Sequence, residues 1–324
     1  TYFWKHSSVS RIPRCLRADS FRKGDGTMKF VTYTMDRKEQ TGILSPDEMW
    51  IYPTASLIRP YPDMNALIRH ISPEEFSLLF SVSRRPPEQV SCALPRENVR
   101  LLAPIPRPAQ DIICLGINYM AHAEEAARYR SDAFGGERSY PIYFSKRVNR
   151  AVADGEPILS HQDLVDSLDY EAELAVIIGK DAYHVPEKDA ASYIFGYTVI
   201  NDVSARNVQT RHKQWYFGKS LDGFTPMGPC ILSADSVPFP PVLKIQSRVN
   251  KELRQDSRTD LLIFDIAYVI HELSQGMTLR AGTIISMGTP AGVGMGFDPP
   301  RFLKPGDVVE CSVEGIGSIT NPVE

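Results

Sequence analysis

Short apolar runs bounded by turn residues dominate the sequence after residue 108, and their lengths are typical of β-strands. Helical patterns are fewer. They cover residues 121–130, which are rich in Ala, Glu and Arg, residues 188–193, and residues 263–275 before Gly276. The pattern therefore predicts an α+β chain that is mainly β, with peripheral helices. The predicted strands are residues 29–34, 50–52, 112–115, 174–178, 197–200, 283–286 and 308–313.

Three prolines mark the boundary between two predicted domains. Pro104, Pro106 and Pro108 stiffen the chain and interrupt regular strand pairing. We expect a small N-terminal domain over residues 28–103 and a larger domain over residues 109–324. Residues 1–27 show no strand or helix periodicity, and we expect them to be an extension that is either disordered or docked. Met28 is then the expected native start, which the intact mass of the native protein would test.

The composition excludes two classes of partner. With 36 Lys and Arg against 39 Asp and Glu, the formal net charge is −3, and there is no basic stripe for a nucleic-acid backbone. No apolar stretch approaches the roughly 20 residues that cross a bilayer, and no secretory signal is recognisable. We therefore expect a cytoplasmic protein without nucleic-acid or membrane partners. The five cysteines are scattered without a CxxC spacing, so neither a disulfide framework nor a thiolate zinc site is predicted.

Two closely spaced carboxylates are the strongest chemical signal in the sequence. Glu171 and Glu173 precede a buried apolar run, and side chains in a strand alternate, so both project from one face. Buried carboxylates at this distance require a cation or a shared proton. Asp202 follows the next apolar run and can reach the same cavity. Three oxygen ligands without His or Cys favour Mg²⁺ or Mn²⁺. The alternative is a pair of solvated carboxylates on an edge strand.

His122 and Glu125 lie three residues apart in the predicted helix over residues 121–130, so their side chains can meet on one face. A carboxylate beside an imidazole raises its basicity, and such a pair can take a proton from water. The alternative is an ordinary exposed histidine. The glycine-rich residues 292–296 follow a predicted strand, but no helix comes after them. A dinucleotide site is therefore not expected, and we predict a turn beneath the site.

Several motifs follow one another in order between residues 111 and 321. They are Gly116-Ile117-Asn118-Tyr119 with His122, Asn201-Asp202-Val203-Ser204-Ala205-Arg206, Gly218-Lys219-Ser220, Met227-Gly228-Pro229, and residues 288–294. Together with the Glu-x-Glu strand, they resemble the fumarylacetoacetate hydrolase family. Residues 211–214 and 295–300 resemble a bacterial subgroup that contains oxaloacetate decarboxylases. The resemblance implies a catalytic domain folded as a rolled mixed β-sandwich, preceded by a small N-terminal domain, and a homodimer.

The resemblance also implies roles for individual residues. Glu171, Glu173 and Asp202 would bind Mg²⁺ or Mn²⁺, and His122 with Glu125 would be a catalytic pair on a lid that closes over substrate, with residues 131–136 as its flexible part. The catalytic Lys219 would stabilise negative charge on the substrate oxygen. From the residues alone, Lys219 would be interpreted as a surface lysine.

Arg206, Gln209 and Thr289 match family positions that contact the substrate carboxylate, and Lys146 is a weaker candidate. Arg206 could instead make a structural ion pair. One position departs from the family pattern, because Asn207 stands where an Asp is common. If that Asp normally orients Arg206, the substrate contact is altered here, although Asn still accepts a hydrogen bond.

The expected function is metal-dependent hydrolysis of a carbon–carbon bond in a small 2-oxo acid, such as an acylpyruvate, fumarylpyruvate or a fumarylacetoacetate-like acid. The implied mechanism leaves a metal-bound enolate of pyruvate, while His122 activates water. The alternatives are oxaloacetate decarboxylation at the same metal site and isomerisation of a 2-oxo diacid. A non-catalytic protein that binds a small acid is a rival from another class.

Overall fold

The computed structural model describes residues 26–134 and 139–324. Residues 1–25 of the expected extension and residues 135–136 of the expected lid segment lie outside the described residues. Cys114, Cys230 and Cys311 are buried free thiols. Among the described helices, none combines the length and the apolar character that a membrane crossing requires.

Seventeen β-strands and seven α-helices form the described part of the chain. The strands are β1 (Lys29–Met35), β2 (Lys38–Leu44), β3 (Trp50–Pro53), β4 (Leu94–Pro95), β5 (Arg100–Leu101), β6 (Ile112–Gly116), β7 (Ile142–Lys146), β8 (Leu168–Asp169), β9 (Ala172–Ile178), β10 (Ile194–Asn201), β11 (Ser204–Ala205), β12 (Met227–Ser233), β13 (Lys244–Val249), β14 (Glu252–Arg258), β15 (Ile284–Ser286), β16 (Val308–Val313) and β17 (Gly317–Pro322). The helices are α1 (Met64–His70), α2 (Pro73–Ser83), α3 (Met120–Tyr129), α4 (Ser131–Phe134), α5 (Arg206–Arg211), α6 (Tyr216–Lys219) and α7 (Ile266–Ser274).

Two large sheets pack face to face. The larger has 11 strands in the order β4-β3-β2-β1-β12-β10-β9-β15-β6-β7, with β5 paired to β1, and the smaller has the order β14-β13-β16-β17. The larger sheet is mixed because β15 pairs with β6 in parallel. Ile245 and Cys311 of the smaller sheet share one apolar core with Val176 and Val199 of the larger. The predicted α+β, mainly β architecture with a mixed β-sandwich is therefore confirmed.

The N-terminal strands extend the larger sheet. Lys29 of β1 pairs with Leu232 of β12, and the rings of Phe30 and Phe195 lie 4.9 Å apart. The chain before the proline-rich segment thus continues the sheet that carries the candidate site. The division into domains at residues 28–103 and 109–324 stays a prediction.

The helix predictions agree in position, with two differences. The pattern over residues 121–130 corresponds to α3. The helix predicted from residue 263 corresponds to α7, which begins later because the Asp265 carboxylate accepts a hydrogen bond from the Tyr268 N–H and caps the helix there. The segment predicted over residues 188–193 is a 3₁₀ helix, Glu187–Tyr193, without a capping side chain. Short uncapped segments commonly take this tighter form.

Candidate metal centre and active site

Three buried carboxylates meet where β9 pairs with β10. Glu173 lies opposite Ile200 in this pairing, and the Asp202 N–H donates to the Glu171 carbonyl at 2.9 Å. One carboxylate oxygen from each of Glu171, Glu173 and Asp202 lies within 4.8 Å of the others. Their exposed fractions are 4%, 1% and 0%, and β9 is flanked by β10 and β15. The geometry therefore excludes two solvated carboxylates on an edge strand.

Two of the three carboxylates are paired with cations. Lys219 Nζ lies 2.6 Å from Glu171 Oε2 and 2.8 Å from Asp202 Oδ2, and Lys146 Nζ lies 2.7 Å from Asp202 Oδ1. Glu173 has no ion-pair partner in the described ranges. Its carboxylate instead accepts hydrogen bonds from the Ser286 hydroxyl and, at 3.0 Å, from the Gly288 N–H. Glu173 is therefore the member of the triad whose charge is not compensated by the protein.

The pKa shifts follow this arrangement. Burial, together with the charges of Asp202 and Glu171, raises the pKa of Glu173 well above its ordinary value. Burial also acts to raise the pKa of Glu171, but attraction by Lys219, Arg206 and His122 outweighs it and lowers that pKa to about 2. Without a metal, protonation of Glu173 is therefore favoured, and a divalent cation would compete with that proton. An all-oxygen donor set with uncompensated charge fits Mg²⁺ or Mn²⁺.

Affinity for Mg²⁺ is expected to increase with pH. Because the metal-free protein has a raised Glu173 pKa, proton and metal compete for this carboxylate, and the competition weakens as rising pH removes the proton. Isothermal titration calorimetry in buffers with different ionisation enthalpies should show proton release on binding. The release should shrink once the pH exceeds the Glu173 pKa. Binding without proton release at any pH would contradict this prediction.

His122 and Glu125 form a buried pair on α3. His122 Nδ1 lies 3.1 Å from Glu125 Oε2, and their exposed fractions are 4% and 6%. His122 is therefore not an ordinary exposed helix residue. The Glu125 carboxylate also accepts a hydrogen bond from the Gly292 N–H at 3.0 Å. The predicted turn over residues 292–296 is present, and it receives the Glu125 side chain.

Gly296→Ala is expected to displace Glu125 and to lower turnover roughly tenfold or more by loosening the catalytic pair. A Cβ at position 296 would lie 1.7 Å from Glu125 Oε1 and 1.9 Å from its Cδ, so most of that side chain must move. Steady-state kinetics should show the loss, with little change in melting temperature. Gly276→Ala is the matched control because nothing lies within 4 Å of its added Cβ. Full activity in the Gly296 variant would contradict the pairing.

Arg206 makes a structural ion pair, which was the alternative to substrate binding. Its Nε donates to Asp169 Oδ2 at 2.9 Å, and its Nη2 lies 2.7 Å from Glu171 Oε1. Gln209 accepts a further hydrogen bond from Arg206 Nη1 at 3.1 Å. The Asn207 side chain donates to the Leu164 carbonyl, so Asp169 orients Arg206 in this chain.

Asp169 was missed in the sequence, although a signal for it exists. It stands two residues before Glu171 and therefore continues the alternation of acids that identified Glu171 and Glu173 as candidate metal ligands. Its carboxylate also accepts hydrogen bonds from the N–H groups of Gly294 and Met295, at 2.6 and 3.0 Å. Asp169 therefore connects Arg206 to the turn that receives Glu125.

The hydroxyl of Thr289 is already engaged. It donates to the Ala172 carbonyl at 2.9 Å and accepts from Gln255 Nε2 at 2.7 Å. Only the Thr289 N–H, which has no hydrogen-bond partner among the described residues, is left for a substrate carboxylate. Gln255 was not predicted, because it comes from β14 in the other sheet and no local pattern identifies it.

One small cavity brings most of these residues together. Asp202 and Glu125 do not line the cavity, but they contact Lys219 and His122, which do. Phe144, Trp215 and Met295 form an apolar part of the wall. The predicted site residues that line the cavity are His122, Glu171, Glu173, Arg206, Gln209, Lys219 and Thr289.

The sequence of this chain matches the model of a known protein family. Residues 111–324 match the fumarylacetoacetate (FAA) hydrolase C-terminal model. The chain belongs to the fumarylacetoacetate hydrolase family. The resemblance recognised from the ordered motifs is thereby confirmed, and the carboxylate triad lies within the matched residues.

Relatives in this fumarylacetoacetate hydrolase family carry different activities in their names. The chain is 45% identical over 225 residues to the oxaloacetate tautomerase YisK of Bacillus subtilis (strain 168), covering 69% of this chain and 73% of that protein. A fumarylacetoacetate hydrolase from the psychrophilic Exiguobacterium antarcticum has a TM-score of 0.76 at 35% identity, with 92% of this chain and 99% of that chain covered. A 5-carboxymethyl-2-hydroxymuconate delta-isomerase from Mycobacterium smegmatis has a TM-score of 0.68 at 31% identity, with 91% and 99% covered.

Proposed function

We propose that this chain is a divalent-metal-dependent enzyme that moves a proton next to the keto group of a small 2-oxo diacid such as oxaloacetate. The observation that carries the proposal is the buried triad of Glu171, Glu173 and Asp202 at a cavity that His122 also lines. The imidazole of His122 is paired with the Glu125 carboxylate. Relatives named as a tautomerase and as an isomerase support a proton shift, since both reactions relocate a hydrogen without changing composition.

The triad would hold Mg²⁺ or Mn²⁺, which when bound supplies Lewis-acid polarisation of the 2-oxo group. Lys219 places a charged ammonium at the cavity. Although burial opposes its charge, attraction by Asp202 and Glu171 raises the Lys219 pKa, so the ammonium persists and can stabilise negative charge on the substrate oxygen. The Thr289 N–H, on a residue that lines the same cavity, would donate to a substrate carboxylate.

His122 carries the proton. With Nδ1 directed at Glu125, the histidine tautomer leaves Nε2 as the basic atom, which takes a proton from C3 and returns it to the oxygen or to the other face. Arg206 and Gln209 line the same cavity and hold the Glu171 side of the site in position. The proton shift needs a base and no nucleophile.

Hydrolysis of a carbon–carbon bond in an acylpyruvate is a second candidate, favoured by the same His122–Glu125 pair. Such a pair can activate water as well as a carbon acid. Decarboxylation of oxaloacetate is a third outcome that the metal site alone would support, because it requires no water. All three reactions share an enolate and differ in what His122 does.

The proposal is tested by three assays run in parallel on the Mg²⁺-loaded protein. They follow loss of the enol of oxaloacetate, pyruvate release from oxaloacetate and pyruvate release from acylpyruvates, each with a chelator control. We expect chelator-sensitive enol–keto conversion to be the fastest. Release from acylpyruvates alone would instead establish the hydrolase, and no activity in any assay would overturn the proposal.

The proposal includes a homodimer in the cytoplasm, as the family resemblance implies. Met120 on α3 and Leu261 leave 62% and 60% of their surface exposed close to each other, where Tyr119 bridges to Leu262. A second copy would cover this apolar surface. Analytical ultracentrifugation should return twice the 36.3 kDa of one chain.

A further inference from the structure

The cavity is lined by polar residues, Glu171, Glu173 and Lys219 among them, which are here called its polar floor, and by an apolar wall that includes Trp215. Trp215 immediately precedes α6, and its carbonyl accepts a hydrogen bond from the Lys219 N–H at 3.2 Å. The residues on either side of Trp215 are exposed, whereas its ring turns inward and lines the cavity. An exposed segment thus contributes one large aromatic ring to the site.

The ring is held in position from several sides. A Cβ on Gly116 would lie 2.0 Å from Trp215 Cζ3 and 2.6 Å from Cη2, so the ring lies directly against the backbone of β6. The ring of Phe144 lies 5.4 Å away at 63°. Trp215 also packs against the apolar cluster of Ile117 and Met295, which includes Ala126 of α3. The ring therefore cannot yield to a longer ligand without disturbing this cluster.

We propose that Trp215, seated against Gly116, sets the maximum length of the substrate and restricts the site to short 2-oxo acids. This inference rests on the proposed function, since it names the substrate class of that same site. The polar floor would take the 2-oxo acid group, because Glu171, Glu173 and Lys219 lie there. The rest of the substrate then points towards the ring, and an extended acyl chain meets it.

The cavity leaves little free space beside the ring. Its free volume is about 10 Å³, enough for roughly one water molecule. A long acyl group would need the volume that the indole occupies.

Trp215→Leu tests the proposal through substrate length. For the wild type and the variant, kcat/KM is measured for acetylpyruvate and hexanoylpyruvate, and for oxaloacetate as a reference. We expect the ratio of hexanoylpyruvate to acetylpyruvate to rise roughly tenfold or more in the variant. Phe217→Leu, on the short helix α6 that follows Trp215 and with an exposed side chain, is the matched control and should leave the ratio unchanged. An unchanged ratio in Trp215→Leu, or an equal rise in the control, would overturn the proposal.

A binding measurement separates this proposal from the proposed function. In the presence of Mg²⁺, the melting temperature is recorded with oxalate and with 2-oxooctanoate. We expect wild-type protein to be stabilised by oxalate alone and Trp215→Leu to be stabilised by both. This result would uphold the length restriction even if the wild type turned over none of the assayed substrates. Equal stabilisation of wild-type protein by both acids would overturn it.

Trp215→Phe and Gly116→Ala keep the test decisive if Trp215→Leu does not fold. Phe keeps an aromatic ring in the wall but is smaller, so a lesser rise in the same ratio is expected, and no rise would contradict the proposal. Gly116→Ala should lower activity in the presence of Trp215 and should have a smaller effect in the Trp215→Phe background. Additive losses would show that the two residues do not share the contact.

Discussion

Glu173→Gln is expected to remove Mg²⁺ binding and to lower metal-dependent turnover by about 10³-fold, while the metal-free protein keeps its melting temperature. The raised pKa favours the protonated form of metal-free Glu173, and an amide has the same shape as that protonated acid. The amide oxygen can still accept hydrogen bonds from Ser286 and Gly288. Calorimetric titration with Mg²⁺ and thermal unfolding of both proteins would measure the two effects.

Glu171→Gln provides the informative contrast. This carboxylate is charged in the metal-free protein and pairs with Lys219 and Arg206, so its loss removes one counter-charge from each of two buried cations, which keep only Asp202 and Asp169. We expect destabilisation of about 3–5 kcal/mol in addition to the loss of metal binding. Glu187→Gln, an exposed glutamate in the 3₁₀ helix Glu187–Tyr193 that does not line the cavity, should change neither property. If Glu173→Gln bound Mg²⁺ like the wild type, this carboxylate would not be a ligand.

His122→Ala is expected to slow enol–keto conversion and acylpyruvate hydrolysis by about 10²–10⁴-fold while sparing much of the decarboxylation of oxaloacetate. The first two reactions need a base, whereas loss of carbon dioxide needs only withdrawal of electrons by the metal. Each reaction is assayed on the same protein preparation with saturating Mg²⁺.

Glu124→Gln is the control for the His122 variant, since Glu124 is the exposed neighbour of Glu125 on the same helix. It should leave all three reactions unchanged, and Glu125→Gln should fall between the two. An equal loss of decarboxylation and enol–keto conversion in His122→Ala would contradict this division of roles between the histidine and the metal site.

The main elements of the fold could be predicted because their signals are local. Apolar runs of strand length identified the central strands, and the spacing of Glu171 and Glu173 placed both on one face. Asp202 could be predicted because it ends the neighbouring strand, and the pairing of β9 with β10 brings it to the others. The roles of these residues stay predictions until metal binding is measured.

The remaining features depend on contacts distant in sequence. Gln255 reaches Thr289 from the opposite sheet, and Lys146 contacts Asp202 across 56 positions of the chain. Lys219 would be interpreted as a surface residue from its neighbours alone, yet it is 2% exposed. Such burial is decided by how sheets and short helices pack, and no period in the sequence records it. Asp169 is the exception, because its alternation with Glu171 was visible.

The most direct test of the central claim is anomalous diffraction from crystals of the Mn²⁺-loaded protein. If the triad binds the metal, we expect a single strong peak between the carboxylates of Glu171, Glu173 and Asp202, at the floor of the cavity that His122 lines. The same peak should be lost in Glu173→Gln. A strong peak elsewhere, or none at the triad in a fully loaded protein, would show that these carboxylates are not the metal site.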